Sequence, residues 1–123
     1  NKFVANFIGD ANVIKAEILN KQSNSYELKV AEMKIKLQSN KDLGEIISLA
    51  LRPEKISINK DKKENSIHAT INSASFVGSS YQYILNSNAG KLFVVSSETN
   101  DIFSVGEEVF LSINEQDLKI LND

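Results

Sequence analysis

The sequence predicts an all-β fold made of two related halves with little helix. Apolar and polar residues alternate along most of the 123-residue chain, and apolar residues seldom recur at helical spacing. Only one proline and five glycines interrupt this pattern. In addition, Leu43–Ile58 resembles Val105–Ile120, sixty-two positions later, in its order of glycine turn, apolar strand, polar corner and second short strand. This recurrence predicts that one supersecondary unit is used twice.

The first half is predicted to contain four main strands. Residues 12–19 alternate, and Tyr26–Val30 and Met33–Leu37 have strict period-two patterning with one apolar and one charged face. We expect these three strands to form an antiparallel meander with a solvated outer face. Ile46–Leu51 is almost continuously apolar, which favours a strand that is buried on both sides or that closes a small barrel.

The second half shows the same kind of pattern. Strands are predicted at Ile67–Phe76, Tyr81–Leu85, Leu92–Val95 and Val109–Ile113. Asn88–Gly90 has the composition of a hairpin turn, and Asn100–Phe103 is predicted to be a loop.

Helix is expected at two places only. Val4–Ile8 is predicted to finish a helix that begins upstream, and Asn114–Asp117 is predicted to form one capped turn. Residues 60–65 are too polar to pack and suit a solvated connection. The predicted division is therefore a first half at 1–59, a connection at 60–65 and a second half at 66–123.

Composition narrows the class of protein. Apolar residues make up 41% and charged residues 24% of the chain, and no run approaches the ~20 apolar residues of a membrane span. The formal charge of −2 is interspersed, so the basic surface of a nucleic-acid binder is missing. With no cysteine and no Asn-x-Ser/Thr glycosylation acceptor, the sequence predicts an intracellular protein. The absence of an initiating methionine and of a secretory signal suggests the tail of a longer chain.

No catalytic constellation is present in the sequence. It lacks the phosphate-binding loop Gly-x-x-x-x-Gly-Lys-Ser/Thr, so we expect no ATP hydrolysis by this segment alone. His68 is the single histidine, and it lies within a predicted strand. We interpret it as an ordinary strand residue and not as the base of a serine-based triad. The segment is predicted to have no catalytic, cofactor-binding or metal-binding residues.

The segment Arg52-Pro53-Glu54 is predicted to turn a strand end sharply. Proline fixes its own φ and pushes Arg52 towards an extended conformation, which aims two opposite charges outward. A planar guanidinium pairs well with a carboxylate, either with Glu54 in the same domain or with an acid across a subunit interface. Both interpretations remain open.

Several short segments occur together in the order of a known family. They are Phe7-Ile8-Gly9-Asp10-Ala11-Asn12, Leu51-Arg52-Pro53-Glu54, Phe76-Val77-Gly78, Phe103-Ser104-Val105-Gly106-Glu107 and Leu118-Lys119-Ile120-Leu121. In this arrangement the chain resembles the C-terminal TOBE domain of the ATP-binding subunits of ABC importers. The resemblance covers essentially the whole chain.

This resemblance implies an OB-like β-barrel architecture with two related subdomains. It also implies a non-catalytic regulatory and dimerisation domain that follows an ABC-type ATPase domain, so that residues 1–8 would end the link between the two. ATP and Mg would bind in the parent chain, outside this segment. The implied partners are the attached ATPase domain, a second ATP-binding subunit and membrane permease subunits. The implied location is cytoplasmic, at the inner face of the cell membrane, with import of a small solute such as spermidine or putrescine.

The candidate site residues are those of the predicted interface. They are Phe7, Gly9, Asn12, Arg52, Pro53 and Glu54. Gly9 permits a backbone bend beside the apolar Phe7, which suits either interdomain packing or core burial. Phe76-Val77-Gly78 is instead expected to pack in the core or at a barrel edge, with Gly78 at a bulge or corner.

A small-ligand or oxyanion sensor is the alternative function. A cationic ligand requires carboxylates near aromatic rings, and Glu107, Glu108, Glu115 and Asp117 lie near Phe103 and Phe110 in the sequence. An anion requires clustered lysines. The candidates are Lys34, Lys36, Lys60, Lys62 and Lys63, but acidic residues are interleaved with them, so a solvated face is the favoured interpretation.

Overall fold

A computed structural model describes residues 7–8, 11–98 and 101–121, and of residues 7 and 8 it describes the backbone alone. Within these ranges strands dominate, and helix is confined to two short 3₁₀ turns, Pro53–Lys55 and Glu115–Asp117. None of the helices described there has the length and apolar character needed to cross a bilayer. The predicted all-β fold with little helix is therefore confirmed.

The first sheet is built around a long antiparallel meander. Its described strands are β1 (Phe7–Ile8), β2 (Ala11–Gln22), β3 (Ser25–Val30), β4 (Met33–Gln38), β5 (Ile46–Leu51) and β11 (Lys119–Ile120). They lie in the order β11-β5-β2-β3-β4, with β1 paired to the start of β2. Burial alternates along β3 and β4, so their charged side chains face solvent. The predicted meander is confirmed.

Strand β5 has the predicted bounds, but it is not buried on both sides, which was one of its two predicted environments. Ile47, Leu49 and Leu51 are buried, whereas Ile46 is 68% exposed. The outward side also carries Ser48, whose hydroxyl accepts a hydrogen bond of 2.8 Å from the Lys15 ammonium group. The prediction of burial on both sides is wrong because only one face of this sheet meets the core.

The second sheet contains the strands predicted for the second half and one further strand. Its members are β6 (Ile56–Asn59), β7 (Ile67–Val77), β8 (Ser80–Ser87), β9 (Gly90–Ser96) and β10 (Glu108–Ile113), in the order β6-β10-β7-β8-β9. Asn88 and Ala89 form the predicted turn between β8 and β9. Residues 101–103 lie outside any strand, as predicted, and Asn100 lies outside the described residues.

The two halves exchange their last strands. Strand β6 pairs with β10 of the second half, and β11 pairs with β5 of the first half. The exchanged segments are equivalent, since strand, 3₁₀ turn and strand recur at the spacing of the sequence repeat. The predicted connection at 60–65 lies between β6 and β7. Each sheet, however, contains one strand from the other half of the sequence.

Each sheet curls into a barrel whose open side is covered by a 3₁₀ turn. The Pro53–Lys55 turn packs against β9, and the Glu115–Asp117 turn packs against β4. In the second contact the Lys36 backbone N–H donates a hydrogen bond of 3.1 Å to Glu115 Oε1. Buried apolar residues from both halves form one cluster, which includes the fully buried Tyr26 and Tyr83. Two related barrel-like subdomains thus share a core, as the predicted fold class requires.

Both predictions of helix need correction. Phe7–Ile8 is a strand that pairs antiparallel with Ala11–Asn12, so the predicted helix does not extend to Ile8. Residues 4–6 lie outside the described residues. The predicted turn does form at Glu115–Asp117, but the Asn114 side chain makes no capping hydrogen bond.

The segment Phe76-Val77-Gly78 also differs from its prediction. Phe76 is 57% exposed and Val77 51% exposed, so neither belongs to the core. Gly78, with a φ of 66°, lies in the turn between β7 and β8, and the bulge in this pair lies earlier, between Ile71 and Ser73. Strand alternation alone does not reveal where a hairpin leaves the barrel.

Candidate functional site

Arg52, Pro53 and Glu54 form a corner between β5 and β6. Arg52 has the extended conformation expected before proline, with φ −72° and ψ 143°, and Pro53 begins the 3₁₀ turn. Arg52 Nε lies 3.1 Å from Glu54 Oε2, and the two side chains are 59% and 49% exposed. The local ion pair therefore forms, and both charged groups remain accessible.

The charges at this corner influence each other. The pKa of the Glu54 carboxyl is lowered below its usual value, mainly by a hydrogen bond from its own backbone N–H and then by the Arg52 guanidinium. Because both side chains are well exposed, their attraction is screened by water, and such pairs contribute about 0–1 kcal/mol to stability. The pair orients two charges at the surface and adds little to the stability of the fold.

Two shallow grooves of about 370 Å³ each meet at Glu54 and Ser57. One is lined by Glu54, Lys55, Ser57, Ser112, Ile113, Asn114 and Asp117. The other is lined by Glu54, Ile56, Ser57, Ile58, Val95, Ser96, Ser97 and Glu98. Their carboxylates outnumber their single lysine, so both grooves favour cationic groups over anions.

Asn12 is fully buried and joins the two barrels. Its side-chain nitrogen donates to the carbonyl oxygen of Phe93 at 2.8 Å, and its side-chain oxygen accepts from the Phe93 N–H at 2.8 Å. The same nitrogen also lies 3.3 Å from the Leu51 carbonyl oxygen. Asn12 is 0% exposed, so its side chain is engaged between the two barrels, and its predicted role at a subunit interface stays a prediction.

A second asparagine repeats this arrangement on the other edge strand. Asn65 donates to the Lys34 carbonyl oxygen and accepts from the Lys34 N–H, each at 2.7 Å. Asn12 thus bonds β9 of the other half, and Asn65 bonds β4 of the other half. The sequence carries a signal for this pair, because Asn-x-Ile-x-Ala-x-Ile occurs at 12–18 and again at 65–71. Asn65 is not among the candidate site residues predicted from the sequence.

The remaining members of the predicted interface lie in different settings. Pro53 is buried in the turn that packs on β9, and its role at an interface stays a prediction. Phe7 belongs to β1, and Gly9 lies outside the described residues. Arg52 and Glu54 alone combine charge with exposure, and their role at an interface stays a prediction.

His68 has no nucleophile among its described partners. Its Nε2 lies 2.8 Å from Glu108 Oε1, and its ring centroid lies 5.4 Å from that of Phe110. Its backbone N–H donates to Glu32 Oε2 at 2.9 Å. These contacts join the turn after β3 to strands β7 and β10, so His68 acts as a surface strand residue.

The carboxylates considered for a cationic ligand do not converge. Glu107 Oε1 accepts from the Ser104 N–H at 3.0 Å, Glu108 pairs with His68, and Glu115 bonds Lys36. Asp117 lines the first groove with Glu54. The five lysines considered for an anion are all exposed. Among the described residues, no group of three or more metal-ligating side chains is close enough to hold a metal ion.

Comparison with protein families gives a match over more than half of the chain. A family model described as TOBE domain matches residues 49–121, which run from β5 through β11. The matched region contains the Arg52–Glu54 corner, the whole second sheet and the exchanged strand β11.

Curated relatives align over almost the whole chain. A Fe(3+) ions import ATP-binding protein of Fusobacterium nucleatum is 26% identical over 128 residues and covers 100% of this chain, which spans 33% of that protein. The corresponding protein of Brucella suis is 22% identical, with 98% and 34% coverage. A spermidine/putrescine import ATP-binding protein of Thermotoga maritima is 24% identical, with 95% and 36% coverage. The chain spans about a third of the length of these relatives.

A solved structure shares the fold. The cytoplasmic molybdate-binding protein ModG, crystallised with molybdate bound, superposes with a TM-score of 0.71 at 11% identity, covering 92% of this chain and 96% of that one. At this identity the likeness concerns the fold alone, and it agrees with the OB-like architecture with two related subdomains.

Proposed function

Because this chain belongs to the TOBE domain family, we propose that it is the non-catalytic regulatory and dimerisation domain of an ABC importer's ATP-binding subunit. The observation that carries the proposal is the alignment of nearly the whole chain with importer ATP-binding proteins. In this proposal an ATPase domain in the parent protein binds ATP and Mg, and this domain performs no chemistry.

The proposed mechanism is mechanical. Two copies pair across a two-fold axis and so influence how readily the attached ATPase domains close on ATP. The parent protein would dock on membrane permease subunits at the cytoplasmic face of the membrane. The shared core and exchanged strands support this role, because a domain that transmits force between subunits must move as one rigid body.

The accessible corner at Arg52 and Glu54 is the proposed contact for a partner subunit. Arg52→Ala and Glu54→Ala in the parent ATP-binding subunit should weaken dimerisation or the coupling of ATP hydrolysis to transport. The matched control is Lys21→Ala, which removes a different exposed ion pair. In that pair Lys21 Nζ lies 3.5 Å from Asp42 Oδ1. Unchanged dimerisation and coupling in both corner variants would remove these residues from the interface.

The transported solute is proposed to be a polyamine such as spermidine or putrescine. The named function of the Thermotoga maritima relative supports this choice, and the relatives from Fusobacterium and Brucella support ferric iron instead. Uptake of radiolabelled spermidine and of ferric iron by cells with and without the parent gene distinguishes the two. Loss of iron uptake alone contradicts the polyamine proposal.

An oxyanion sensor is the second candidate function, because the structurally similar ModG binds molybdate. The carboxylates around the grooves at Glu54 argue against an anion there. Titration calorimetry of the chain with molybdate and with spermidine tests this alternative. A saturable heat with molybdate supports the sensor, whereas no heat with either compound supports the mechanical role.

A further inference from the structure

The hairpin formed by β7 and β8 extends beyond the second barrel. Each residue from Ala74 to Ser79 is exposed, although these residues lie on both faces of the hairpin. The tip presents Phe76, 57% exposed, and Val77, 51% exposed. Large apolar side chains on a projecting arm are costly in water unless another surface covers them.

The arm is held in place by a row of aromatic rings. Phe76 and Tyr81 are direct cross-strand partners, with ring centroids 4.9 Å apart. Tyr81 stacks on Tyr83 at 5.9 Å, and Tyr83 meets Phe103 edge-on at 5.8 Å. Tyr83 and Phe103 are buried, so the row connects the exposed tip to the core. The apolar tip is therefore presented on a supported element.

This hairpin also contains no charged residues. No Asp, Glu, Lys or Arg occurs from Asn65 to Gly90, the longest such run in a chain that is 24% charged. The equivalent hairpin of the first half, β2 with β3, carries Glu17, Lys21, Glu27 and Lys29. The difference does not come from the fold, because both hairpins occupy equivalent places in their sheets. Interface centres are depleted of charge and enriched in aromatic residues.

Other exposed apolar residues border the base of the same hairpin. Ile102 is 48% exposed and Val105 66% exposed. Their loop is attached to β7 and β8, since the Gly106 N–H donates to the Ile71 carbonyl oxygen at 2.8 Å and the Phe103 N–H donates to the Tyr83 hydroxyl at 3.2 Å. Exposed apolar side chains therefore occur both at the tip of the hairpin and in the loop attached to its base.

The surface adjoins the corner discussed above. Tyr81 pairs with Phe76 on one side and with Ser96 on the other, so these three side chains share one face. Ser96 in turn lines the groove that contains Glu54. The groove that contains Glu54 therefore reaches the strand beside Tyr81, so polar residues neighbour the apolar face of the hairpin, as at the rim of protein interfaces.

We propose that the β7–β8 hairpin, centred on Phe76 and Val77, is the surface through which two copies of this chain associate about a two-fold axis. Only side chains on the axis itself meet their own copies, and a charged residue at that position would face a like charge. An uncharged aromatic arm avoids this repulsion. Addition at the sheet edges is a poorer route, because Asn12 and Asn65 already occupy backbone groups of β9 and β4.

The inference rests on the proposed pairing of two copies. The proposed function names only the Arg52–Glu54 corner as a contact, and the inference adds the hairpin as the main contact surface. An arm of this size buries much less than the ~800 Å² per partner of a standard interface, so we expect weak association of the isolated chain, on the order of micromolar or weaker. In a parent dimer the attached domains would raise the effective concentration of the two arms.

Sedimentation equilibrium of the 123-residue chain tests this surface, with samples up to about 1 mM. Phe76→Asp and Val77→Asp should each weaken self-association at least tenfold, because each places like charges at the axis. The matched control is Leu19→Asp, which alters a 42% exposed apolar residue on the first-half hairpin and should leave association unchanged. Circular dichroism checks that all three variants are folded.

The possible outcomes distinguish association through the hairpin from association through another surface. If the wild-type chain associates and both hairpin variants associate equally well, the hairpin is not the contact, and pairing through another surface remains. If the wild-type chain stays monomeric throughout, self-association through the hairpin fails, whereas dimerisation of the parent subunit is tested separately by the Arg52→Ala and Glu54→Ala variants. Equal weakening by Leu19→Asp would also overturn the assignment, since it would show a general effect of added charge.

Discussion

Asn12 and Phe93, which belong to different halves of the chain, are joined by two hydrogen bonds of 2.8 Å that use both ends of the Asn12 carboxamide. The side chain thereby takes the place of a neighbouring strand at the edge of β9. Asn12 is 0% exposed, so its own carboxamide is shielded from water. The contact fixes the relative position of the two barrels and satisfies the backbone of an edge strand.

Replacement of Asn12 should therefore be costly. Asn12→Ala leaves the Phe93 N–H without its partner in a poorly hydrated place, and we expect the free energy of unfolding to fall by about 1–3 kcal/mol. The matched control is Asn65→Ala, where the bonds to Lys34 are exposed and water can replace them. Urea denaturation measures both values. Equal losses for the two variants would show that burial does not determine the cost.

Two buried tyrosines should each stabilise a loop. The Tyr26 hydroxyl donates to the Lys41 carbonyl oxygen at 2.7 Å and accepts from the Leu43 N–H at 3.3 Å. The Tyr83 hydroxyl accepts from the Phe103 N–H at 3.2 Å. Tyr26→Phe and Tyr83→Phe keep the rings, and each should cost about 1 kcal/mol of stability.

Amide hydrogen exchange locates these effects. Exchange of the Leu43 amide should accelerate in Tyr26→Phe, and exchange of the Phe103 amide should accelerate in Tyr83→Phe. Each variant serves as the control for the other, because the two loops lie in different halves. A uniform increase across the whole chain would contradict a local role for the hydroxyls.

The ion pair at the corner should give a small dependence of stability on pH. The folded-state pKa of Glu54 is lowered from 4.5, first by its own backbone N–H and then by Arg52. Its contribution is therefore fully present above about pH 4.5 and is lost as the pH falls through the lower folded-state pKa. Because both groups are exposed, the contribution should be below about 1 kcal/mol.

Urea denaturation of the wild type and of Glu54→Gln at pH 7 and pH 3 checks this sign. The wild type should be the more stable at pH 7, and the difference should shrink at pH 3. A difference that grows on acidification would contradict the predicted direction.

The exchanged strand β11 should matter to the first barrel. Leu118, directly before it, is 8% exposed and belongs to the shared core. Leu118→Ala should lower the free energy of unfolding by about 2–4 kcal/mol and increase amide exchange in β5. Lys119→Ala, which alters an exposed side chain, is the control and should change stability by less than about 0.5 kcal/mol. Unchanged amide exchange in β5 would show that Leu118 does not stabilise the first sheet.

Much of the fold could be predicted from local pattern. The bounds of β5 are those expected from Ile46–Leu51, and the alternation of Met33–Leu37 correctly placed its lysines outside. The repeat was visible because its glycine turn and polar corner recur at fixed spacing. The extended conformation of Arg52 followed from the proline after it, which is a steric effect of two adjacent residues.

Other features depend on contacts that no local pattern contains. Strands β6 and β11 are short, and their sequences do not determine which sheet they join. Phe76 has a strand-like context, but its exposure depends on where the barrel ends. Asn12 was predicted to be an interface residue, and the local sequence does not indicate that its side chain is buried. Its burial depends on Phe93, which lies far away in the sequence.

The exchange of strands also affects how the protein can fold during its synthesis. The first sheet needs Lys119–Ile120 beside Leu49–Ala50, so a nascent chain that has emerged from the ribosome only as far as β10 lacks one strand of its first barrel. Until Ile120 is available, the edge of β5 is open to pairing with other nascent chains. The long separation between these partners should also make the final step slow compared with closure of the local hairpins. Slow translation of the segment between β10 and β11 would therefore prolong the period in which this protein is most prone to aggregate.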